Sequence, residues 1–318
     1  MKLQTPIPLT KAKNQIDYSS QLVLFGSCFS DNIGAKFEHF KFRSLQNPFG
    51  ILFHPKSIEN LISRAVQKDT YTESDIFFHN ERWHCFDAHS DLSDVSKKVL
   101  LQKLNDGLER THRQVKESTH AIITLGTAWV YRHVEQNSVV SNCHKIPNNE
   151  FNKELLSAIK ITEIIKKVDN ELQSVNSDLN IIFTISPVRH VKDGFIENQR
   201  SKAHLVTAIH QFLSLRAESR SLFYFPSYEI MMDELRDYRF YEGDMIHPNQ
   251  IAIDYVWEKF KEVWISEKAF STMDEVDAIQ KGLWHRPFNP SSVGHQDFLK
   301  SLEEKITYLQ QKYPFINF

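Results

Sequence analysis

Residues 22–34, LVLFGSCFSDNIG, hold four apolar residues in a row, then Gly26, then small polar side chains, and only afterwards the helical spacing of Ile33, Phe37 and Phe40. A short apolar run that stops at a glycine reads as a buried strand, and the spacing beyond it as a helix with one apolar face. The pattern recurs. QLVLFG (21–26), HAIITLG (120–126), NIIFTIS (180–186) and SLFYFP (221–226) all end in glycine, serine or proline. Between them lie helical periods at Ile58, Leu61 and Ile62; Val95, Val99, Leu104 and Leu108; Leu155, Ile159, Ile164 and Ile165; and Leu205, Ile209, Phe212 and Leu213. Strands apolar on both sides are interior and parallel. Their alternation with helices predicts a doubly wound α/β sheet, whose functional groups gather beyond the carboxyl ends of the strands.

A chain of 318 residues with a formal net charge of -2 builds a core without disulfide or metal, and offers no basic surface for nucleic acid or an anionic membrane. The opening MKLQTPIPLTKAKNQ lacks an apolar leader, and no later run approaches the roughly 18 apolar residues of a membrane span, so a cytoplasmic location is expected. Cys28, Cys85 and Cys143 are too few and too irregularly spaced for a disulfide framework or a zinc site, and reduced thiols are expected. Fifteen histidines include no metal-ligand spacing, so neither metal nor cofactor is predicted. The segment YRFYEGDMIHPNQ leads into a helix over 251–264 with Pro248 in its first turn, and residues 1–268 form the main domain. Residues 269–318 read as a helical extension packed on it, its two helices separated by HRPFNPSSVGHQ. Nothing in the sequence sets an oligomeric state.

Gly26 allows a sharp turn, so the Ser27 hydroxyl can stand at the strand end over a helix N-terminus, where unpaired N–H groups favour a developing oxyanion. Serine before a helix is ordinarily a cap, a role open also to Ser30 and Asp31. A nucleophilic serine needs a base with its own orienting carboxylate. Asp244 and His247, three residues apart in GDMIHPN, meet that need, although an isolated D-x-x-H is common. Cys28 is the rival nucleophile. Arg189 and His190 in SPVRHVKDG follow a strand, overhang the same edge, and are candidate substrate-binding residues, with Arg189 alternatively paired to Glu197 or Asp193. Ser201 and Lys202 hint at a serine–lysine dyad, but a helix-start serine and a solvated lysine explain them equally.

FGSCFSDNIG and DMIHPNQ, with NPFGILFHP, TLGTAWVYR, NCHKIP, TISPVRHVKDG and ENQRSKAHL between them, resemble the GSCFA-domain proteins, a group similar to the SGNH or GDSL-like hydrolases. The resemblance implies a flavodoxin-like αβα sandwich, with Ser27 as nucleophile, His247 as general base and Asp244 as its orienter. It also implies hydrolysis of an ester, such as an acyl ester or an O-acylated carbohydrate, without cofactor or metal. The oxyanion hole of that pattern takes the N–H of Ser27, the N–H of Gly50, and an asparagine side chain. Here Thr127 and Ala128 stand where the asparagine is expected, leaving Thr127 or Asn142 to replace it. The contrasting expectation is a binding protein that keeps the fold with weak or no catalysis.

Overall fold

Residues 22–34 form the strand and helix they predict. In the computed structural model, which describes residues 4–216 and 221–318, β1 (Gln21–Gly26) runs directly into α1 (Cys28–His39). β1 lies inside a parallel sheet with β2 (Arg43–Gln46), β3 (His120–Leu125), β4 (Asn180–Ile185) and β5 (Leu222–Phe225). The spatial order is β2-β1-β3-β4-β5, with Gly26 opposite Thr124 and Thr124 opposite Thr184. Four of these strands are the apolar runs of the sequence. β2, RSLQ, escaped notice because an edge strand that is only half-buried needs no apolar run.

Side chains alternate across the sheet, so each strand feeds two cores. Val23, Phe25, Ile123 and Phe183 face α2 (Pro55–Gln67), α3 (Lys97–Glu117), α4 (Ala158–Val175) and α5 (Phe195–Leu215). Leu22, Leu24, Ile122 and Ile182 face α1, α6 (Gln250–Trp264), α7 (Glu267–Trp284) and α8 (Val293–Lys312). Met273, Val276, Ile279, Leu302 and Leu309 of the last two helices share this second core with Phe29, Ile33 and Phe37 of α1. The C-terminal helices are therefore part of the αβα packing.

Three local readings need correction. The buried stripe of α3 is Leu100, Leu104, Leu108, Thr111 and Val115, and Val95 and Val99 are exposed, because Ser96 caps the helix and sets its phase. Leu155 ends a strand, and Ile159 faces solvent at the start of α4. α6 begins at Gln250, after Pro248, because the Asn249 side chain accepts from Ala252 N at 3.2 Å, a capping bond that proline cannot supply. Two antiparallel pieces decorate the sheet: a hairpin of Ile76–His79 with Arg82–Cys85, and Trp129–His133 between Ser138–Val140 and Phe151–Leu155. Their strands mix charged and apolar residues and are only partly buried. Among the described residues no helix is long and apolar enough to cross a membrane.

Gly26 has φ +138, and a Cβ there would lie 2.1 Å from Thr124 O in the adjacent strand. Its N–H donates to Asn47 Oδ1 and its carbonyl accepts from Leu52 N, both at 2.9 Å, so the turn cannot relax. Gly26→Ala is expected to cost about 3 kcal/mol or more, from backbone strain plus collision with β3. Urea unfolding measures this, and an unchanged midpoint would refute the rigidity of the turn.

Candidate functional site

Counted along the chain, the sheet order is 2-1-3-4-5, and it reverses between β1 and β3. In open parallel sheets the ligand crevice lies at that reversal, beyond the carboxyl ends of the strands. Ser27 follows β1 and Gly126 follows β3, so both stand at the crevice. Ser27 occupies the N-cap position of α1, but its side chain makes no capping bond. It is 1% exposed, and its Oγ has no hydrogen-bond partner. A buried hydroxyl left unpaired costs about 1–3 kcal/mol, so capping does not account for this serine. Ser30 is not a cap either, since its Oγ reaches back to Phe25 O at 3.1 Å and Thr124 Oγ1 at 2.8 Å.

Asp244 holds the turn that presents His247. Its Oδ1 accepts from the N–H groups of Ile246 (2.8 Å) and His247 (3.0 Å), and Oδ2 pairs with His247 Nδ1 at 2.6 Å. The backbone N–H and the ring of His247, with the Ile246 N–H, pull the Asp244 carboxyl down to about 2. The ionised carboxylate thus keeps a proton on Nδ1 and leaves Nε2 as the acceptor. Arg189 locks this loop: its guanidinium donates to Met245 O and lies over the rings of Tyr241 (4.8 Å) and Tyr238 (5.7 Å). It pairs with neither Glu197 nor Asp193, the latter being bound by Lys153. Ser27 Oγ makes no hydrogen bond to His247 in this conformation.

The expected oxyanion donors are differently disposed. Ser27 N–H donates to Thr124 O at 3.2 Å, and Gly50 N–H closes a turn onto Asn47 O at 2.8 Å. Thr127 Oγ1 is tied to Ser201 Oγ at 3.0 Å and accepts from Trp129 N at 3.1 Å. Asn142 Oδ1 accepts from His144 N at 2.8 Å, in the loop whose His144 bonds Cys85 O.

Sequence reasoning missed three supports. Asn47, at φ +38, bonds Gly26 N and donates to Asp31 Oδ1 at 2.5 Å, stitching the strand end to the first turn of α1. Lys202 is fully buried rather than solvated, and its ammonium donates to Gly126 O (2.8 Å) and Ser186 O (2.7 Å), joining the ends of β3 and β4. Burial pulls its pKa down to about 7, and no carboxylate among the described residues forms an ion pair with it. The signal was its position on the buried stripe Asn198, Ser201, Leu205, Ala208 and Phe212 of α5. Ser201 is the third support, accepting from Ala128 N at 2.7 Å. The serine–lysine pair thus braces the loop after β3.

Cys28, Cys85 and Cys143 are free. Burial pushes the Cys28 thiol up, which keeps it protonated at neutral pH and disfavours it as nucleophile. Among the described residues no three His, Cys, Asp or Glu gather as a metal site. A cleft of about 500 Å³ lined by Lys56, Asp75, Asp87 and Arg132 contains none of Ser27, His190 or His247. Its carboxylates belong to the Arg64–Asp75–Asp87 network beside it, and Lys56 and Arg132 pair with Glu59 and Glu154.

The strand order and the helices on both faces define an αβα sandwich of the flavodoxin-like class. Within that class the chain belongs to the GSCFA family, whose model matches residues 21–260. A second model, for the C-terminal domain of GSCFA domain proteins, matches residues 276–318. No curated protein matches the chain.

Proposed function

We propose that the chain is an SGNH-like serine hydrolase acting on ester bonds, with Ser27 as nucleophile, His247 as base and Asp244 as the residue that orients His247. One observation carries this reading: the Ser27 hydroxyl is buried, unpaired and unused as a cap at the switch point of the sheet. The pre-oriented Asp244–His247 pair supports it. In the reaction the loop bearing His247 closes on Ser27, and Nε2 takes the hydroxyl proton as Oγ attacks the ester carbonyl. The tetrahedral intermediate expels the alcohol, which leaves with the proton from Nε2. Water then attacks the acyl-serine with His247 again as base, releasing the acid and restoring Ser27. Arg189 positions the His247 loop through Met245, and the substrate is a small-molecule or glycan ester.

Intact mass after incubation with a fluorophosphonate tests this. One equivalent on the wild type, absent in Ser27→Ala and His247→Ala, is the expected result, with short-chain esters turned over in parallel. Ester turnover that persists in both variants would refute it. The second reading is a binding protein without effective catalysis, favoured by the occupied Ser27 and Gly50 N–H groups and by Ala128 where an asparagine is expected. It predicts a folded wild type that binds an ester saturably and takes no label.

A further inference from the structure

Two buried polar atoms without partners belong to residues that flank Gly126. A Cβ placed on Gly126 would lie 3.2 Å from His190 Nε2 and 3.3 Å from Ser27 Cβ, so the bare Cα of this glycine is what separates them. Ser27 Oγ and His190 Nε2 are both shut off from solvent and both lack a hydrogen bond. Such atoms are rare in native proteins, and two beside one glycine call for a polar partner that the protein does not itself provide. The frame around them is rigid. Gly126 N–H is held by Phe53 O at 2.8 Å, Gly126 O by Lys202, and His190 N–H by Asn198 Oδ1 at 2.9 Å, while Phe53 meets the His190 ring edge-on at 5.5 Å.

We infer that His190, through Nε2–H, is the side-chain donor to the substrate's carbonyl oxygen as it becomes an oxyanion, filling the place left by the asparagine absent at Ala128. This rests on the serine-hydrolase reading and adds a catalytic residue to it. A donor in this role has to remain neutral, since an imidazolium would bind the resting carboxylate product as well as the transition state. Burial, the Lys202 ammonium and His247 together hold the His190 ring down to about 3, outweighing Asp193, so at neutral pH it carries a single N–H. His190 is therefore unsuited to be the base, a task left to His247. The assignment also explains Gly126, whose φ any residue tolerates but whose missing Cβ lets His190 Nε2 and Ser27 approach and stays clear of Phe53 O, 2.9 Å from that position. Thr127, the other candidate on this loop, is turned to Ser201.

The rate of fluorophosphonate labelling at Ser27, followed by intact mass, tests the inference. His190→Ala is expected to slow labelling by about 10²–10³-fold, the usual cost of one oxyanion donor, and His190→Asn to stay within about tenfold of wild type. Should His190→Ala not fold, His190→Phe keeps a flat ring against Phe53 without a donor, and the same slowing is expected of it. Labelling of either donor-free variant at the wild-type rate would overturn the role of His190 and leave the hydrolase reading standing. A folded wild type that takes no label on Ser27 would overturn both. Imidazole ¹⁵N shifts give a readout independent of reactivity: a proton on Nε2 of His190 is expected, and an unprotonated Nε2 at neutral pH would refute the inference.

Discussion

Asp244→Asn is expected to lower ester turnover by about 10⁴-fold while leaving the fold intact, the scale of this change in other serine triads. The amide oxygen can still accept from the N–H groups of Ile246 and His247, so the turn with Met245 at φ +60 survives. Its NH₂, however, is a donor where Oδ2 accepted from His247 Nδ1 at 2.6 Å. Nδ1 must then become the acceptor, which moves the ring proton to Nε2 and removes the lone pair that would deprotonate Ser27. The Asp244 carboxyl, held down to about 2, is ionised at neutral pH. Loss of activity in the asparagine variant therefore reports the tautomer and the carboxylate charge that steadies the imidazolium, both of which the substitution removes. Kinetics beside a circular-dichroism melt distinguish the outcomes: turnover within tenfold of wild type would remove Asp244 from the mechanism, whatever His247 does.

Stability is expected to fall steeply as pH drops from about 6.5 toward 4. His54 and His144 are 5% and 4% exposed, and burial holds both rings down to about 4. His84, His120 and His190 are shifted in the same direction, burial being the largest cause in each. In the unfolded chain these rings take up protons near pH 6.5, whereas in the folded protein His54 and His144 do so only near pH 4. Between those limits the unfolded state binds more protons, so acid favours it; above 6.5 the effect vanishes. Each fully buried ring contributes about 1.4 kcal/mol per pH unit, so two of them over two units remove on the order of 5 kcal/mol, comparable with the whole stability of many domains. Urea midpoints at pH 7.5, 6.5 and 5.5 measure the slope. His54→Asn, which keeps an N-cap acceptor for Ser57 N, should reduce it by about one proton. A slope that stays flat down to pH 5.5 would show that these rings accept protons in the folded state.

Much of the sheet was legible because four of its strands are apolar on both faces, a pattern that solvent-facing segments do not show. The half-buried strands Trp129–His133 and Phe151–Leu155 were not, since residues such as Arg132 and Lys153 resemble loop composition. In the site, Ser27 and the Asp244–His247 turn were visible as short local motifs. Local spacing was enough for Asp244 to reach His247, because a carboxylate three residues away in a tight turn is close by geometry alone. The pairing of His190 with Gly126, more than sixty positions apart, has no such signature. Nor has Lys202, whose burial depends on two carbonyls at the ends of different strands.

By itself the sequence determined the alternation of strand and helix, the glycine turn after β1 and the Asp-x-x-His turn, since each is written in residues adjacent along the chain. Only the tertiary structure decided that Ser27 is no cap, that Lys202 is buried, that Arg189 grips the His247 loop and that His190 stands across from Ser27. Those outcomes depend on the order in which the parallel strands pair. Backbone hydrogen bonding between strands is indifferent to sequence, so their order is set by how the two cores fill, and that order brings the remote loops together at one edge.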